Sequence, residues 1–203
     1  MQRFSYDDLM QMPSRFRGTL LNMVSGLKPA NLIATKSKDA QINLAVFNSV
    51  VHIGANPPYL GFILRPTTVA RHTYENIKET GVYTINQITT QIYPKAHQTS
   101  AKYERGISEF ERAGLTTCYH EDFPVPFVDE SSIKIGLRFE EEHYVKCNAT
   151  RVVIGKIEHL LLPDDVMEDD GHIALEKMNS VAIGGLDTYY AVEKLDRLAY
   201  AKP

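Results

Sequence analysis

The sequence predicts a mainly β protein with a β-barrel or β-sandwich core and a few short helices. Short segments rich in β-branched and aromatic residues recur along the chain, and turn-forming residues separate them. Helical patterns are few, short and interrupted by Gly or Pro. Neither an internal repeat nor a linker-like change of composition divides the 203 residues, so residues 1–203 are expected to form a single domain.

The first elements along the chain are a segment of ambiguous structure and a β-hairpin. Residues 5–24 begin with a helical pattern, but Pro13 and Gly18 interrupt it. Residues 31–36 (NLIATK) and 42–49 (INLAVFNS) are β-rich, and the polar link SKDAQ between them has the length of a hairpin loop. A pair of strands is therefore predicted directly after the ambiguous segment.

Four further strands follow. The run Asn56-Pro57-Pro58 excludes helix and favours an extended approach to the third strand. Apolar and polar residues alternate at the start of residues 133–145, which is typical of a strand with one dry face and one wet face. In the last strand Gly155 predicts a bulge or a close approach of another group. The predicted strands are residues 59–65, 82–86, 133–145 and 150–162.

Three short helices are predicted among these strands. They lie at residues 73–80, within residues 88–105, and at residues 108–113. Gly81 ends the first of them, and Gly114 ends the last. A capping box, in which the side chains and backbones of Ser108 and Glu111 bond reciprocally, is expected to begin the last helix.

Composition and charge exclude several classes of function. The chain has 22 basic and 25 acidic residues and a net charge of −3, so it lacks the positive field that draws proteins to nucleic acid or anionic membranes. Its two cysteines, Cys118 and Cys147, lie far apart, which favours neither a disulfide framework nor a zinc site. The first residues lack a signal-peptide pattern, and no apolar run approaches the roughly 20 residues that cross a bilayer. A cytoplasmic protein is expected.

Polar and basic residues collect between the third strand and the next helix, in the stretch FILRPTTVARHTYENIKETG at residues 62–81. If Thr73 caps the helix, its first N–H groups and the positive end of its dipole face the loop. Arg65 and Arg71 would add guanidinium groups suited to a phosphate. The stretch therefore allows a phosphate site, but it also allows a structural cap with two solvated arginines.

Several segments in order resemble the FMN-binding split-barrel proteins, the flavin reductase-like family that includes the flavoredoxins. These segments are LIATKSKDAQINLAVFNSVVHIGANPPYLGFIL, HTYENIKETGVYTIN, GISEFERAGL and GGLDTYY. The resemblance covers most of residues 28–190. It implies a six-stranded Greek-key split β-barrel, a homodimer, and FMN bound noncovalently at the subunit interface.

The resemblance also implies which residues bind the cofactor. The phosphate of FMN would be held by Arg65, Thr67, Arg71, His72 and Thr73. The isoalloxazine ring would be lined by Thr35, Lys36, Val46, Phe47, Asn48 and Ser49. Tyr189 is a candidate contact on the substrate side, with aromatic packing as its alternative. The family often has serine where this chain has Asn48, whose amide can still donate or accept hydrogen bonds.

The resemblance favours an NAD(P)H-dependent flavin reductase that passes hydride or electrons through FMN to a flavin-accepting or electron-accepting partner. NADH or NADPH would dock transiently, because the chain has no GxGxxG motif. A flavoredoxin-like electron-transfer protein without enzymatic activity, or a barrel that binds another ligand such as haem, are the alternatives. No catalytic acid or base is assigned, because the cofactor carries the chemistry. The clusters at residues 120–122 and 140–143 lack metal-ligand spacing. His52 is interpreted as a packed structural histidine, with an approach to the flavin or a substrate as the alternative.

Overall fold

The computed structural model describes residues 1–202 and is mainly β, as predicted. Its strands are β1 (Lys28–Pro29), β2 (Asn31–Lys36), β3 (Ile42–Phe47), β4 (Val51–Ala55), β5 (Pro58–Leu64), β6 (Val82–Gln87), β7 (Thr117–Cys118), β8 (Phe127–Val128), β9 (Lys134–Val145), β10 (Thr150–Leu161), β11 (Val181–Gly184) and β12 (Thr188–Ala191). Its helices are α1 (Tyr6–Gln11), α2 (Ser14–Met23), α3 (His72–Thr80), α4 (Tyr93–Gln98) and α5 (Glu109–Ala113), with a 3-10 turn at Leu175–Met178.

The main sheet contains seven antiparallel strands in the order β3-β2-β6-β9-β10-β5-β4. A second sheet has the order β1-β11-β12, and β7 pairs with β8. The predicted hairpin is confirmed, with Asn31 opposite Phe47 and Lys36 opposite Ile42. Because β3 ends at Phe47, the next two residues leave the sheet.

Within the main sheet, the strand missing from the sequence prediction is β4, which makes the count there seven rather than six. The short strands β1, β7, β8, β11 and β12 were not predicted either. Strand β4 lies at an edge of the main sheet, and all its residues except Gly54 are exposed. A short edge strand has no buried face to produce a clear alternation of apolar and polar residues. The interpretation of His52 as a packed structural histidine is wrong, because this side chain is exposed on β4.

Two apolar clusters enclose β2, the second strand from one edge of the main sheet. Leu32 belongs to a cluster that includes Leu44, Phe110 and Phe127. Ile33, the next residue, belongs to a cluster that includes Phe62. Successive side chains of a strand point to opposite faces, so β2 is buried on both sides. Its C-terminal end is therefore held firmly where it approaches α3.

The ambiguous segment at residues 5–24 contains two helices. Asp8 Oδ2 accepts hydrogen bonds from the backbone N–H and the hydroxyl of Ser5, and the N–H of Asp8 donates to Ser5 Oγ, which caps α1. Pro13 separates α1 from α2, because proline is favoured at a helix start and not in a helix interior. Of the helices within residues 1–202, none is both long enough and apolar enough to cross a bilayer.

The predicted capping box at α5 is wrong. Ser108 is the N-cap residue, but its side chain makes no capping hydrogen bond, and Ser108 Oγ is buried without a partner among the described residues. The side chain that organises the start of this helix is instead Glu109, which reaches β3. The prediction that Gly114 ends the helix is confirmed by its left-handed conformation, with φ 67°.

Candidate functional site

The loop between β5 and α3 carries most of the predicted phosphate-binding residues. Arg65 and Thr67 are exposed, and Arg71 is half-buried at the N-cap of α3. Arg71 Nε donates to the carbonyl oxygen of Pro66 at 3.3 Å, and its backbone N–H donates to Glu75 Oε1 at 3.0 Å. The guanidinium group is thereby held against its own loop, at the helix start.

The structure corrects the prediction that Thr73 caps this helix. The helix begins at His72 and its N-cap is Arg71, which makes no side-chain capping bond. Thr73 is buried, and its Oγ1 accepts a hydrogen bond from Asn43 Nδ2 at 3.0 Å. Because Thr73 belongs to the first turn instead of preceding it, its side chain contacts the start of β3.

A second buried pair fastens α3 to β2. Asn76 Nδ2 donates to Thr35 Oγ1 at 3.0 Å, and both residues are buried. A hydroxyl that accepts an amide hydrogen bond keeps its own proton for another acceptor. Thr35 and Thr73 are therefore two oriented hydroxyl donors. The asparagines that orient them belong to the sequence pattern of the resemblance but were not predicted as site residues.

Glu109 is another residue that the site prediction missed. Its Oε2 accepts the backbone N–H of Leu44 at 3.0 Å, and its side chain is buried. Burial raises the pKa of Glu109, while the hydrogen bond from Leu44 and the charge of His72 act in the opposite direction. His72 is half-buried in α3, so this carboxyl group links β3, α5 and the start of α3. The family resemblance included the segment GISEFERAGL but assigned it no site residue, and the capping-box pattern pointed to Glu111.

The residues predicted to line an isoalloxazine ring lie at the ends of β2 and β3. Lys36 Nζ lies 5.6 Å from the ring centroid of Tyr119. Val46 packs against the cluster that contains Leu44, while Phe47 packs edge-on against Phe62 with ring centroids 5.1 Å apart. The side chains of Val46 and Phe47 therefore point to opposite faces of β3.

Asn48 and Ser49 use their side chains to hold other segments. Asn48 Nδ2 donates to the carbonyl oxygen of Gly185 at 2.7 Å, which leaves Oδ1 as an acceptor. Ser49 Oγ lies 3.1 Å from both the backbone nitrogen and the carbonyl oxygen of Ile63, so it accepts from one and donates to the other. Asn48 thus joins the end of β3 to the turn between β11 and β12.

Tyr189 lies on β12, half-buried against α4. Its hydroxyl oxygen is 3.3 Å from His97 Nδ1, and its ring centroid is 5.4 Å from that of Tyr93. Burial, with a smaller effect of Asp187, raises the pKa of Tyr189 to about 12. The aromatic packing considered as the alternative is therefore present. The same hairpin is joined to Asn48, so Tyr189 belongs to the element that borders the predicted ring site.

The chain is similar in sequence and in fold to known proteins. The sequence profile described as "Flavin reductase like domain" matches residues 26–179. A proposed flavin reductase with a split-barrel domain from Shewanella frigidimarina NCIMB 400 is 45% identical and superposes with a TM-score of 0.95, covering 99% of this chain and 100% of that one.

Two more distant structures share the fold. Nitrilotriacetate monooxygenase component B from Bacillus cereus is 20% identical, with a TM-score of 0.85 and coverage of 98% of each chain. Flavoredoxin of Desulfovibrio vulgaris (Miyazaki F) is 24% identical, with a TM-score of 0.73 and coverage of 86% of this chain and 92% of that one. The split barrel implied by the sequence resemblance is confirmed. Since the profile spans most of the chain and the Shewanella protein aligns over nearly all of it, the chain belongs to the flavin reductase-like family.

Proposed function

We propose that this protein is an FMN-binding oxidoreductase of the NAD(P)H-dependent flavin reductase type, acting as a homodimer in the cytoplasm. The observation that carries the proposal is the start of α3. Its N-cap has no side-chain hydrogen bond, and Arg71 is held beside it by Pro66. An uncapped helix start next to a guanidinium group suits a phosphate dianion.

The residues at this loop fit a phosphate group in charge and in donors. Arg65 and Thr67 are exposed to an incoming ligand, and Thr73 retains a hydroxyl proton. The nearest carboxylate at the helix start, Glu75, is balanced by Arg105, whose Nη1 lies 2.8 Å from Glu75 Oε2. His72 would add a further donor.

At the other end of the site, the residues fit the polar edge of a flavin ring. Asn48 offers an amide oxygen, and Thr35, which is fully buried, fastens α3 to the end of β2 through Asn76. Lys36 supplies a positive charge at the end of the same strand, where it would stabilise negative charge on the ring. Val46, Phe47 and Ser49 would contribute backbone groups, since their side chains pack elsewhere or hold Ile63.

The loop before α3 and the ends of β2 and β3 would hold FMN, which would supply the chemistry of hydride and electron transfer between a reduced nicotinamide and an acceptor. The loop before α3 would bind and orient the cofactor, and the β11–β12 hairpin, which Asn48 joins to the end of β3, would border the ring. Tyr189 on that hairpin would contact the nicotinamide or the acceptor. No side chain is assigned as an obligatory acid or base.

Reconstitution with FMN tests the proposal. The purified protein should retain FMN with the absorbance bands of a flavin, and the holoprotein should oxidise NADH or NADPH faster than an equal concentration of free FMN. A protein that binds FMN but does not exceed the free-flavin rate would instead be an electron-transfer protein. Failure of the purified protein to retain FMN would contradict the whole proposal.

Arg71→Ala is the variant that tests the placement of the phosphate. Loss of a charge-assisted hydrogen bond should raise the Kd for FMN by about tenfold or more. Asn48→Ala should raise it less, because a neutral hydrogen bond is weaker and the Asn48 amide proton already serves Gly185. Arg71→Lys is the matched control, since it keeps the charge and loses the planar fork. Fluorescence titration measures the three values, and equal Kd values for the two alanine variants would contradict the placement.

A further inference from the structure

A cavity of about 540 Å³ lies beyond the C-terminal end of β6 and shares no residue with the proposed flavin site. Its walls are formed within residues 89–95, 130–132, 163–166 and 177–179. Two of these segments are joined by a backbone hydrogen bond, in which the N–H of Thr90 donates to the carbonyl oxygen of Asn179 at 2.9 Å. A volume of this size is typical of small-molecule sites.

Two cationic and two anionic side chains line this cavity. They are Lys95, Lys177, Glu130 and Asp165. Within residues 1–202, none of these four side chains takes part in an ion pair. Charges of both signs therefore meet around one cavity without neutralising each other, which leaves all four available to a ligand of complementary charge.

Uncharged backbone groups orient one charge of each sign. Lys95 Nζ donates to the carbonyl oxygen of Gly114 at 2.7 Å. The two carboxylate oxygens of Glu130 lie 3.0 Å and 3.2 Å from the backbone nitrogen of Thr116, whose N–H they accept. Because these partners carry no charge, they fix the side chains without cancelling the charges. Lys95 also keeps further N–H donors for a ligand, since an ammonium group has three.

The cavity has an apolar floor beneath these charged groups. Ile92, Val166 and Met178 line it, and all three residues are buried in the folded chain. Thr89 also lines the cavity and is buried. An apolar group of a ligand gains free energy when it leaves water for such a surface. The cavity thus combines charges of both signs with an apolar surface.

We propose that this cavity binds a dipolar molecule with an apolar body, namely an α-amino acid with an apolar side chain. The carboxylate of the amino acid binds Lys95 and Lys177. Its ammonium group binds Glu130 and Asp165, and its side chain packs on the apolar floor. An anionic ligand would leave the two carboxylates unpaired, and a cationic ligand would leave the two lysines unpaired, so a ligand with both charges fits best.

Calorimetric titration of the purified protein with L-leucine and with L-phenylalanine tests this proposal. The wild type should bind at least one of the two amino acids. For leucine, 4-methylpentanoate lacks the ammonium group and 3-methylbutylamine lacks the carboxylate. Each analogue should bind about tenfold more weakly or worse, because each loses one set of charge-assisted hydrogen bonds. Phenylpropanoate and phenylethylamine are the corresponding analogues of phenylalanine.

Asp165→Asn and Lys177→Gln should each weaken binding of the amino acid by about tenfold or more. Both residues are exposed, and thermal unfolding verifies that each variant is folded. Asp164→Asn and Lys194→Gln are the matched controls, because these exposed residues carry the same charges and do not line the cavity. Both controls should bind the amino acid with the affinity of the wild type.

Three results would overturn the inference: a wild type that binds neither amino acid, binding that both cavity variants leave unchanged, and analogues that bind as tightly as the amino acid. Because the cavity shares no residue with the proposed flavin site, the titration gives its answer with or without FMN. Failure to retain FMN would therefore contradict the proposed function and leave this test intact.

Discussion

The buried carboxyl group of Glu109, next to the proposed site, makes the free energy of unfolding depend on pH. Burial raises its pKa, so the folded chain binds this proton more tightly than the unfolded chain does. As pH rises, the unfolded chain releases the proton first. The contribution of Glu109 to the free energy of unfolding is therefore full below its unfolded pKa, and it is lost as pH rises through its folded pKa.

Glu109→Gln should remove this dependence while keeping an oxygen that accepts the N–H of Leu44. As pH rises above the ordinary pKa of a glutamate, the free energy of unfolding of the variant should rise relative to the wild type. Urea denaturation at several pH values measures the difference. Glu111→Gln is the control, because Glu111 is an exposed neighbour in α5. A constant difference between Glu109→Gln and the wild type across the range would contradict the argument.

Among the strands, β10 contains the predicted irregularity. The pairing of β9 with β10 shifts register between Ile154 and Gly155, which confirms the predicted bulge. The close approach is confirmed too, because a Cβ atom on Gly155 would overlap the hydroxyl of Tyr83. This hydroxyl is buried without a partner in the part of the chain described here, and burial raises the pKa of Tyr83. Glycine at residue 155 lets β10 and β6 pack around the tyrosine ring.

Gly155→Ala should therefore destabilise the protein by about 1–3 kcal/mol, the usual cost of overpacking a core. Gly18→Ala is the matched control in α2. No atom lies within 4 Å of a Cβ placed there, so this substitution should stabilise the protein by about 0.5–1 kcal/mol. Chemical denaturation measures both values. Equal effects of the two substitutions would show that Tyr83 moves aside without cost.

Across the whole chain, the surface of β4 and β5 is unusually apolar for a sheet edge. Val51, Ile53 and Ile63 are exposed by 47%, 45% and 40%. An exposed apolar edge strand invites association with another chain unless it is covered. This surface supports the homodimer in the proposed function, because a second copy would cover it.

Val51→Glu should shift the protein from dimer to monomer, since a carboxylate would have to be desolvated in the interface. Leu160→Glu is the control, because Leu160 is exposed on β10 and does not belong to this surface. Sedimentation velocity gives the mass of each variant at several concentrations. Dimers that persist unchanged in Val51→Glu would place the interface elsewhere.

Six of the seven strands of the main sheet, and the C-terminal ends of α3 and α5, were predictable because their signals are local. The hairpin of β2 and β3 follows from two β-rich segments and a short polar link. The end of α3 follows from Gly81, whose φ of 75° is the left-handed conformation that glycine adopts readily. The edge strand β4 was not predictable in this way, because burial on one face is what produces alternation.

The candidate site was predictable only as a set of residues. The sequence resemblance placed Arg71, His72 and Thr73 together, and they do lie at one helix start. It did not indicate that the Thr73 hydroxyl accepts a hydrogen bond from Asn43 instead of capping the helix. The donor, Asn43, and the acceptor, Thr73, are 30 residues apart in the sequence. Thr35 and Asn76 are 41 residues apart. The packing of α3 on the sheet brings these hydrogen-bond partners together.

The positions of the long strands and the turns along the chain were thus determined by the amino-acid sequence itself. The signals for them are β-propensity, proline, glycine and the alternation of apolar and polar residues, and each acts over a few residues. The partners of the buried polar groups depended on the folded molecule, because a hydrogen bond forms only when two distant segments come within about 3 Å of each other. The loop after β5 and the β9–β10 hairpin likewise meet only in the folded chain, where Thr67, Thr68 and Arg151 line one cavity.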